Sequence, residues 1–278
     1  MSLELLKDIL KTPTYCGREE YIIAKITEHL MKMSLDYTID EHGNIYVTKG
    51  VSDIYPCVVA HTDSVHRIVD IEIVEHDDDK NIIYAIDKST GKKTGCGGDN
   101  KAGVYVCLEL LKKIDVLKVA FFVSEEYGCF GSILSDETFY DNVGYCLQFD
   151  APENNWVTHY CNGVKLFDEN GDFYETIKPI LDDYMGDYTL DRHPYTDVSI
   201  LGAFYDFSCI NYSVGYYNMH SPNEFVNVEH VNQAKNMAIE MISSLGNIKY
   251  QFIDQNASKM DKNRLREYAL KSLTSLRK

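Results

Sequence analysis

The sequence predicts an α/β fold, and three features carry that expectation. Residues 56–60, 117–124 and 143–149 are apolar runs, the pattern of strands buried on both faces. Each run delivers acidic or imidazole side chains at its C-terminal end: His61-Thr62-Asp63, Glu125-Glu126 and Asp150. Between the first and second runs, a glycine-rich turn over 95–103 leads straight into an apolar helical stretch, 104–114. Glycines let a backbone turn sharply and come close to other groups. Open α/β sheets bind ligands in the crevice at the carboxyl ends of their strands. Asp99, at the hand-over from turn to helix, is therefore the expected centre of a site.

The other elements follow in order. Residues 3–10 read as a short amphipathic helix stopped at Thr12-Pro13, and 18–33 as a longer one with Tyr21, Ile22, Ala24, Ile26, Leu30 and Met31 near helical spacing. Strands at 36–39 and 44–47 flank a His42-Gly43-Asn44 turn, and 68–74 with 81–86 form a second hairpin around Asp77-Asp78-Asp79. Beyond Asp150 the pattern predicts helices at 173–185 and 197–202, the latter capped by Thr196. A strand at 208–214 runs through Gly215-Tyr216-Tyr217 to His220. A long amphipathic helix covers 228–245, and a basic one covers 261–276 with a solvated face. No repeat or low-complexity linker marks a domain boundary.

Composition narrows the function. A chain of 278 residues that is 45% hydrophobic can bury a sizeable core. Its net charge of −16 argues against a nucleic-acid partner, which needs dense Lys and Arg, and suits the binding of cations. The charged start Met-Ser-Leu-Glu-Leu-Leu-Lys-Asp has no signal-peptide core, and no stretch approaches the ~20 apolar residues of a membrane span. Eight scattered cysteines without a Cys-x-x-Cys pair fit reduced thiols. The expectation is a cytoplasmic protein with no membrane partner. The 95–103 turn is not a phosphate loop, because Lys101 is followed by Ala rather than Ser or Thr.

Taken together, His61-x-Asp63, Gly98-Asp99-Asn100, Glu125-Glu126, Asp150 and His220-Ser221-Pro222 resemble, in order and spacing, the motifs of the co-catalytic di-zinc peptidases. These are the aminopeptidases and carboxypeptidases of the M20, M28 and M42 families. Residues 10–20 look like their opening helix-break-helix, and 41–47 like their "D-x-x-G-N" strand. The resemblance implies a three-layer αβα sandwich with a mostly parallel, mixed central sheet of the zinc-exopeptidase (phosphorylase/hydrolase-like) type. It implies that Asp99 bridges two divalent ions, zinc foremost, with cobalt or manganese as alternatives. His61 and Asp150 would complete one site, and Glu126 and His220 the other. Asp63 would accept the second ring N–H of His61 and fix its tautomer, and Glu125 would be the general base. The family pattern also implies a cis peptide between Asp99 and Asn100. Neighbours on a strand face opposite sides, so Glu125 and Glu126 can serve one site only if the strand ends before them.

The spacing departs from the lidded relatives. M20 enzymes carry a lid and dimerisation domain between the fourth ligand and the final His, where this chain has 69 residues between Asp150 and His220. M42 enzymes insert a lid after His-x-Asp, where this chain has 37 residues between His61 and Asp99. The expectation is one catalytic domain over 1–278 with no inserted lid, as a monomer or small homo-oligomer. Substrate contacts would then come from loops 185–196 and 211–219 or from another subunit. Arg192 and His193 are candidates for a substrate carboxylate, and Tyr195, Tyr212 and Tyr216 for oxyanion donors. The expected function is a di-metal exopeptidase, foremost an aminopeptidase on short peptides. A dipeptidase, a carboxypeptidase or an amidohydrolase of N-acyl amino acids could use the same centre. The alternative outside enzymes is a catalytically silent binding protein; the retained ligands, Asp63 and Glu125 speak against it.

Overall fold

The computed structural model describes residues 2–75, 81–161, 163–193, 195–255 and 261–277, without the side chains of Arg192 and His193. The expected Asp77-Asp78-Asp79 turn lies outside the described residues. The chain opens with α1 (Leu3–Lys11), α2 (Glu20–Lys32), β1 (Tyr37–Ile39), β2 (Ile45–Lys49) and β3 (Tyr55–His61). It continues with β4 (Ile71–Glu75), β5 (Ile82–Asp87), β6 (Lys93–Thr94), α3 (Gly98–Lys113), β7 (Leu117–Phe122) and α4 (Phe130–Ile133). Next come β8 (Val143–Ala151), β9 (Trp156–Cys161), β10 (Val164–Lys165), α5 (Asp172–Met185), β11 (Thr189–His193) and α6 (Asp197–Phe204). The last elements are β12 (Ser208–Ser213), β13 (Tyr216–Tyr217), β14 (Phe225–Asn227), α7 (Val228–Leu245) and α8 (Lys262–Leu276).

The central sheet runs in the order β1-β2-β7-β3-β8-β12-β9-β10, with β11 also on β9. Its middle strands β7, β3, β8 and β12 are mutually parallel, and antiparallel neighbours flank them. Every residue of β3, β7 and β8 is buried, because helices cover both faces. On one face α3 packs on β3 and β8 with α1 and α7 beside it; on the other, α6 packs on β12, β8 and β3 with α4 next to it. The three-layer αβα expectation matches this architecture. A smaller antiparallel sheet, β13-β14-β5-β4 with β6 on β5, joins the segment before Asp99 to the segment around His220.

Differences from the expected elements have local causes. The two-residue strands β6, β10 and β13 are too short to show a period, and β9 and β11 lie in the stretch whose pattern is unreadable from sequence. Thr196 does not cap α6 with its side chain; its hydroxyl instead donates to Gln148 Oε1 at 2.6 Å. The largest correction concerns α8. Arg264 and Lys271 are exposed, but Lys262 and Arg266 are half-buried against the body, and Ala269 and Leu273 are buried in a satellite cluster with Cys129, Phe130, Ile133 and Ile200. Among the described residues, no helix is long and apolar enough to cross a membrane.

Candidate metal centre

β3 ends on His61, whose ring is 1% exposed. Its Nε2 lies 3.2 Å from Asp99 Oδ1 and 3.3 Å from Asp150 Oδ1, and its Nδ1 lies 3.2 Å from Asp63 Oδ1. On the other side, His220 Nε2 lies 3.3 Å from Asp99 Oδ2 and 3.2 Å from Glu126 Oε2. The two oxygens of Asp99 thus face two different imidazoles, each of which has its own second carboxylate. Glu125 Oε2 lies 3.8 Å from His61 Nε2. The structure brings together all seven of His61, Asp63, Asp99, Glu125, Glu126, Asp150 and His220.

Local geometry explains how adjacent residues reach one place. β7 stops at Phe122, and Ser124 takes a positive φ of 54°, so the strand alternation has ended before the two glutamates. Asp63 accepts the N–H groups of Glu125 (2.9 Å) and Glu126 (3.2 Å). Glu19 Oε1 accepts the N–H and the hydroxyl of Ser124 at 3.2 and 2.9 Å. On the Asp99 side, Gly97 adopts φ +68° and the Asp99–Asn100 peptide is cis, as expected. Asp99 and Asn100 have non-helical dihedrals, and the regular helix begins after them. Gly103 has no room for a side chain: a Cβ there would lie 2.1 Å from Asn100 Oδ1 and 2.6 Å from the Phe149 carbonyl oxygen.

The electrostatics are those of a cluster short of positive charge. Burial pushes Glu125 well above the ordinary carboxylate value, against the opposing pull of His61, and it does the same to Asp150. Burial also raises Glu126. Burial would raise Asp99 too, but hydrogen bonds from His220 and His61 outweigh it and hold it low. Hydrogen bonds to Asp99 and Glu126 push His220 up to about 10. Among the described residues, two buried acceptors make no well-formed hydrogen bond: Glu126 Oε1, and Asp150 Oδ1, which faces the His61 ring at 3.3 Å. Buried carboxylates need pairing or metal coordination. One ligand atom each from His61, Asp99 and Glu126 falls within 4.8 Å of the others. The donor set, two imidazoles and three carboxylates of which Asp99 faces both imidazoles, fits a pair of divalent ions.

Several supporting residues have no signature in the sequence motifs. Glu224, 1% exposed, accepts the Gly97 N–H at 2.7 Å and the Asp99 N–H at 3.3 Å. Gln148 sits two residues before Asp150 on the same side of β8 and donates to Asp150 Oδ2 at 3.2 Å and Asp197 Oδ2 at 3.3 Å. Asp197, fully buried, also accepts from Ser132 Oγ at 2.6 Å, and burial raises it to about 6. The i, i+2 relation to Asp150 was a legible signal for Gln148; the other two are acids in ordinary turn or helix-start positions.

A cavity of about 600 Å³ opens onto this centre. Asp99, Glu125, Glu126, Asp150 and His220 line its acidic end, with Tyr195, Phe130, Ile133, Ile200, Leu265 and Tyr268 around it. Of the substrate-contact candidates, Tyr195 lines this cavity. Tyr212 does not: it is fully buried, packs on Phe149 and donates to the Ala234 carbonyl at 3.3 Å. Tyr216 is also buried and donates to the Asp150 carbonyl at 3.0 Å, so its hydroxyl is committed to holding that strand end. The side chains of Arg192 and His193 lie outside the described residues. Loops 185–196 and 211–219 contribute Tyr195 and Met219 to the lining, and α8 and the segment after Glu126 supply much of the rest.

No protein-family model matches this chain, and no curated protein matches it in sequence. Solved structures do match in fold. A tripeptidase from Staphylococcus aureus superposes with a TM-score of 0.73 at 15% identity, covering 86% of this chain and 96% of that one. The aminopeptidase PepT from Bacillus cereus does so at 0.72 and 13%, covering 87% and 97%. A TET aminopeptidase from a marine sediment archaeon of the Thaumarchaeota does so at 0.68 and 12%, covering 93% and 98%. The chain shares the fold of these peptidases.

Proposed function

We propose that this chain is a metal-dependent exopeptidase, an aminopeptidase that hydrolyses short peptides. The observation that carries the reading is Asp99, placed so that each of its oxygens meets a different imidazole–carboxylate pair. His61 and Asp150 would hold one ion, Glu126 and His220 the second, and Asp99 both. A bound pair of divalent ions, zinc foremost, would supply Lewis acidity that polarises a peptide carbonyl and acidifies a water. Glu125 receives the proton of the attacking water and passes it to the leaving amine. Burial raises its pKa, the direction a proton carrier working near neutral pH needs. Asp63 orients the His61 ring through Nδ1 and fixes the Glu125–Glu126 backbone.

Among the described residues, the charged side chains lining the cavity are four carboxylates and His220, with no Lys or Arg to receive a substrate's carboxylate end. This supports an aminopeptidase over a carboxypeptidase or an N-acyl amino acid amidohydrolase. The fold likeness to a tripeptidase and two aminopeptidases points the same way. The segment between His61 and Asp99 supplies β4, β5 and β6 to a sheet shared with β13 and β14, which supports one catalytic domain without a separate lid, as a monomer or small oligomer. The eight cysteines are free and seven are buried, which supports a reducing, cytoplasmic setting.

The test is a substrate panel of aminoacyl-anilides, dipeptides and N-acetyl amino acids with protein supplied with zinc, cobalt or manganese. Cleavage of the free-amine substrates, abolished by chelation and restored by metal, is the expected result. Hydrolysis of the N-acetyl substrates alone refutes the aminopeptidase reading, and failure to bind any metal refutes the enzyme reading.

A further inference from the structure

Next to the acidic end of the cavity stands an apolar wall built from three separate parts of the chain. Phe130 and Ile133 come from α4, directly after the glutamates, and Ile200 comes from α6; they are 3%, 3% and 4% exposed. Leu265 and Tyr268 come from α8, one helical turn apart, so they share a face. The Tyr268 ring meets Phe130 edge-on with centroids 6.1 Å apart.

The position of α8 is held by several contacts. Ala269 and Leu273 anchor it in the satellite cluster. Arg266 donates to the Ile133 and Ser135 carbonyls at 3.2 and 3.1 Å and pairs with Glu137 at 2.7 Å. Lys262 lies over the Phe204 ring at 4.8 Å and pairs with Glu137 at 2.9 Å. The helix therefore presents Leu265 and Tyr268 to the cavity from a braced position.

We propose that α8 is a specificity element: Leu265 and Tyr268, with Phe130, Ile133 and Ile200, form the pocket for a large apolar side chain on the substrate's amino-terminal residue. The proposal rests on the exopeptidase reading for the position of the scissile bond. The juxtaposition of wall and acidic floor in one cavity supports it: a substrate whose scissile bond sits at the acidic end has the apolar wall beside its amino-terminal residue. Apolar surface attracts apolar substrate atoms, and each well-fitted methylene gives roughly 10-fold or more discrimination. Leucine, methionine and phenylalanine are the substrates that fill it, and alanine and glutamate are disfavoured.

The test uses amino-acid hydroxamates as turnover-independent ligands, titrated calorimetrically into zinc-supplied protein. The leucine compound should bind at least ~10-fold tighter than the alanine compound. Leu265→Ala and, on the exposed side of the wall, Tyr268→Ala should each shrink that ratio severalfold. Leu265→Lys should shift relative affinity toward the glutamate compound. Equal affinity for leucine and alanine compounds in the unmodified protein overturns the proposal, as does an unchanged ratio in both alanine variants. Absence of turnover on every aminoacyl-anilide would refute the aminopeptidase reading while leaving the hydroxamate ratio to judge the pocket.

Discussion

Replacing Glu224 with Ala should loosen the turn that presents Asp99. Its carboxylate is the acceptor for two buried backbone donors, the N–H groups of Gly97 at 2.7 Å and Asp99 at 3.3 Å. Burial raises the Glu224 carboxyl to about 7, so the comparison is made about one pH unit higher, where it is charged; a hydrogen bond to a charged group contributes ~1.5–3 kcal/mol, and a buried donor left without a partner costs about as much. The Gly97 bond is short and the Asp99 bond long, so the first is taken at the top of that range and the second at the bottom. Water entering the vacated space offsets part of the loss, leaving about 3 kcal/mol of destabilisation. Glu224→Gln should lose roughly half as much, because its carbonyl can still accept one N–H while its amide faces the other. Urea unfolding followed by circular dichroism measures this, on protein stripped with chelator so that ion binding does not mask the change. A loss below about 1 kcal/mol for the alanine variant refutes the reasoning. So does a glutamine variant as damaged as the alanine one.

Three further outcomes are expected. Glu125→Gln should retain bound metal, measured by elemental analysis, while kcat falls by ~10²–10⁴. Gly103→Ala drives a Cβ to 2.1 Å from Asn100 Oδ1 and 2.6 Å from the Phe149 carbonyl oxygen; thermal unfolding should show a loss of about 3 kcal/mol. Glu137 is held below its ordinary value of 4.5 chiefly by its hydrogen bond to Lys262, with Arg266 adding to it. A lowered carboxylate pKa stabilises the folded state above the unfolded value and loses that effect as pH falls. Protection factors of α8 amides, corrected for the intrinsic slowing of exchange in acid, should therefore fall below pH 4.5, and Glu137→Gln should reduce that fall.

The central sheet and the seven clustered residues were legible because both leave marks that survive without tertiary information. Strands buried on two faces are apolar along most of their length, so β3, β7 and β8 stood out. Ligand-bearing strand ends are short motifs whose order along the chain is itself a signal. The rest depends on contacts between distant segments. In sequence Tyr212 falls in the strand 208–214 and Tyr216 just after it, and only the packing of β12 and β13 shows that both hydroxyls are turned to backbone carbonyls. Glu224 and Asp197 are acids like many others until the fold buries them. The helix α8 reads as basic because charges dominate its composition. Its burial is carried by Ala269 and Leu273, too few positions to reveal a pocket wall.

The smaller sheet has a consequence for how the protein matures during synthesis. β14 pairs with β5, placing Val226 opposite Ile83 and Phe225 opposite Tyr84, and β13 follows it into the sheet. A nascent chain that has just completed β8 already carries His61, Asp99, Glu126 and Asp150. It still lacks Glu224 to hold the Asp99 turn and lacks the second imidazole. Pairing segments so far apart in sequence is slow, because the loop must close before any contact rewards it. On the proposed two-ion reading, capture of the second ion would wait for a chain that has left the ribosome nearly whole, and a full metal complement would mark completed folding.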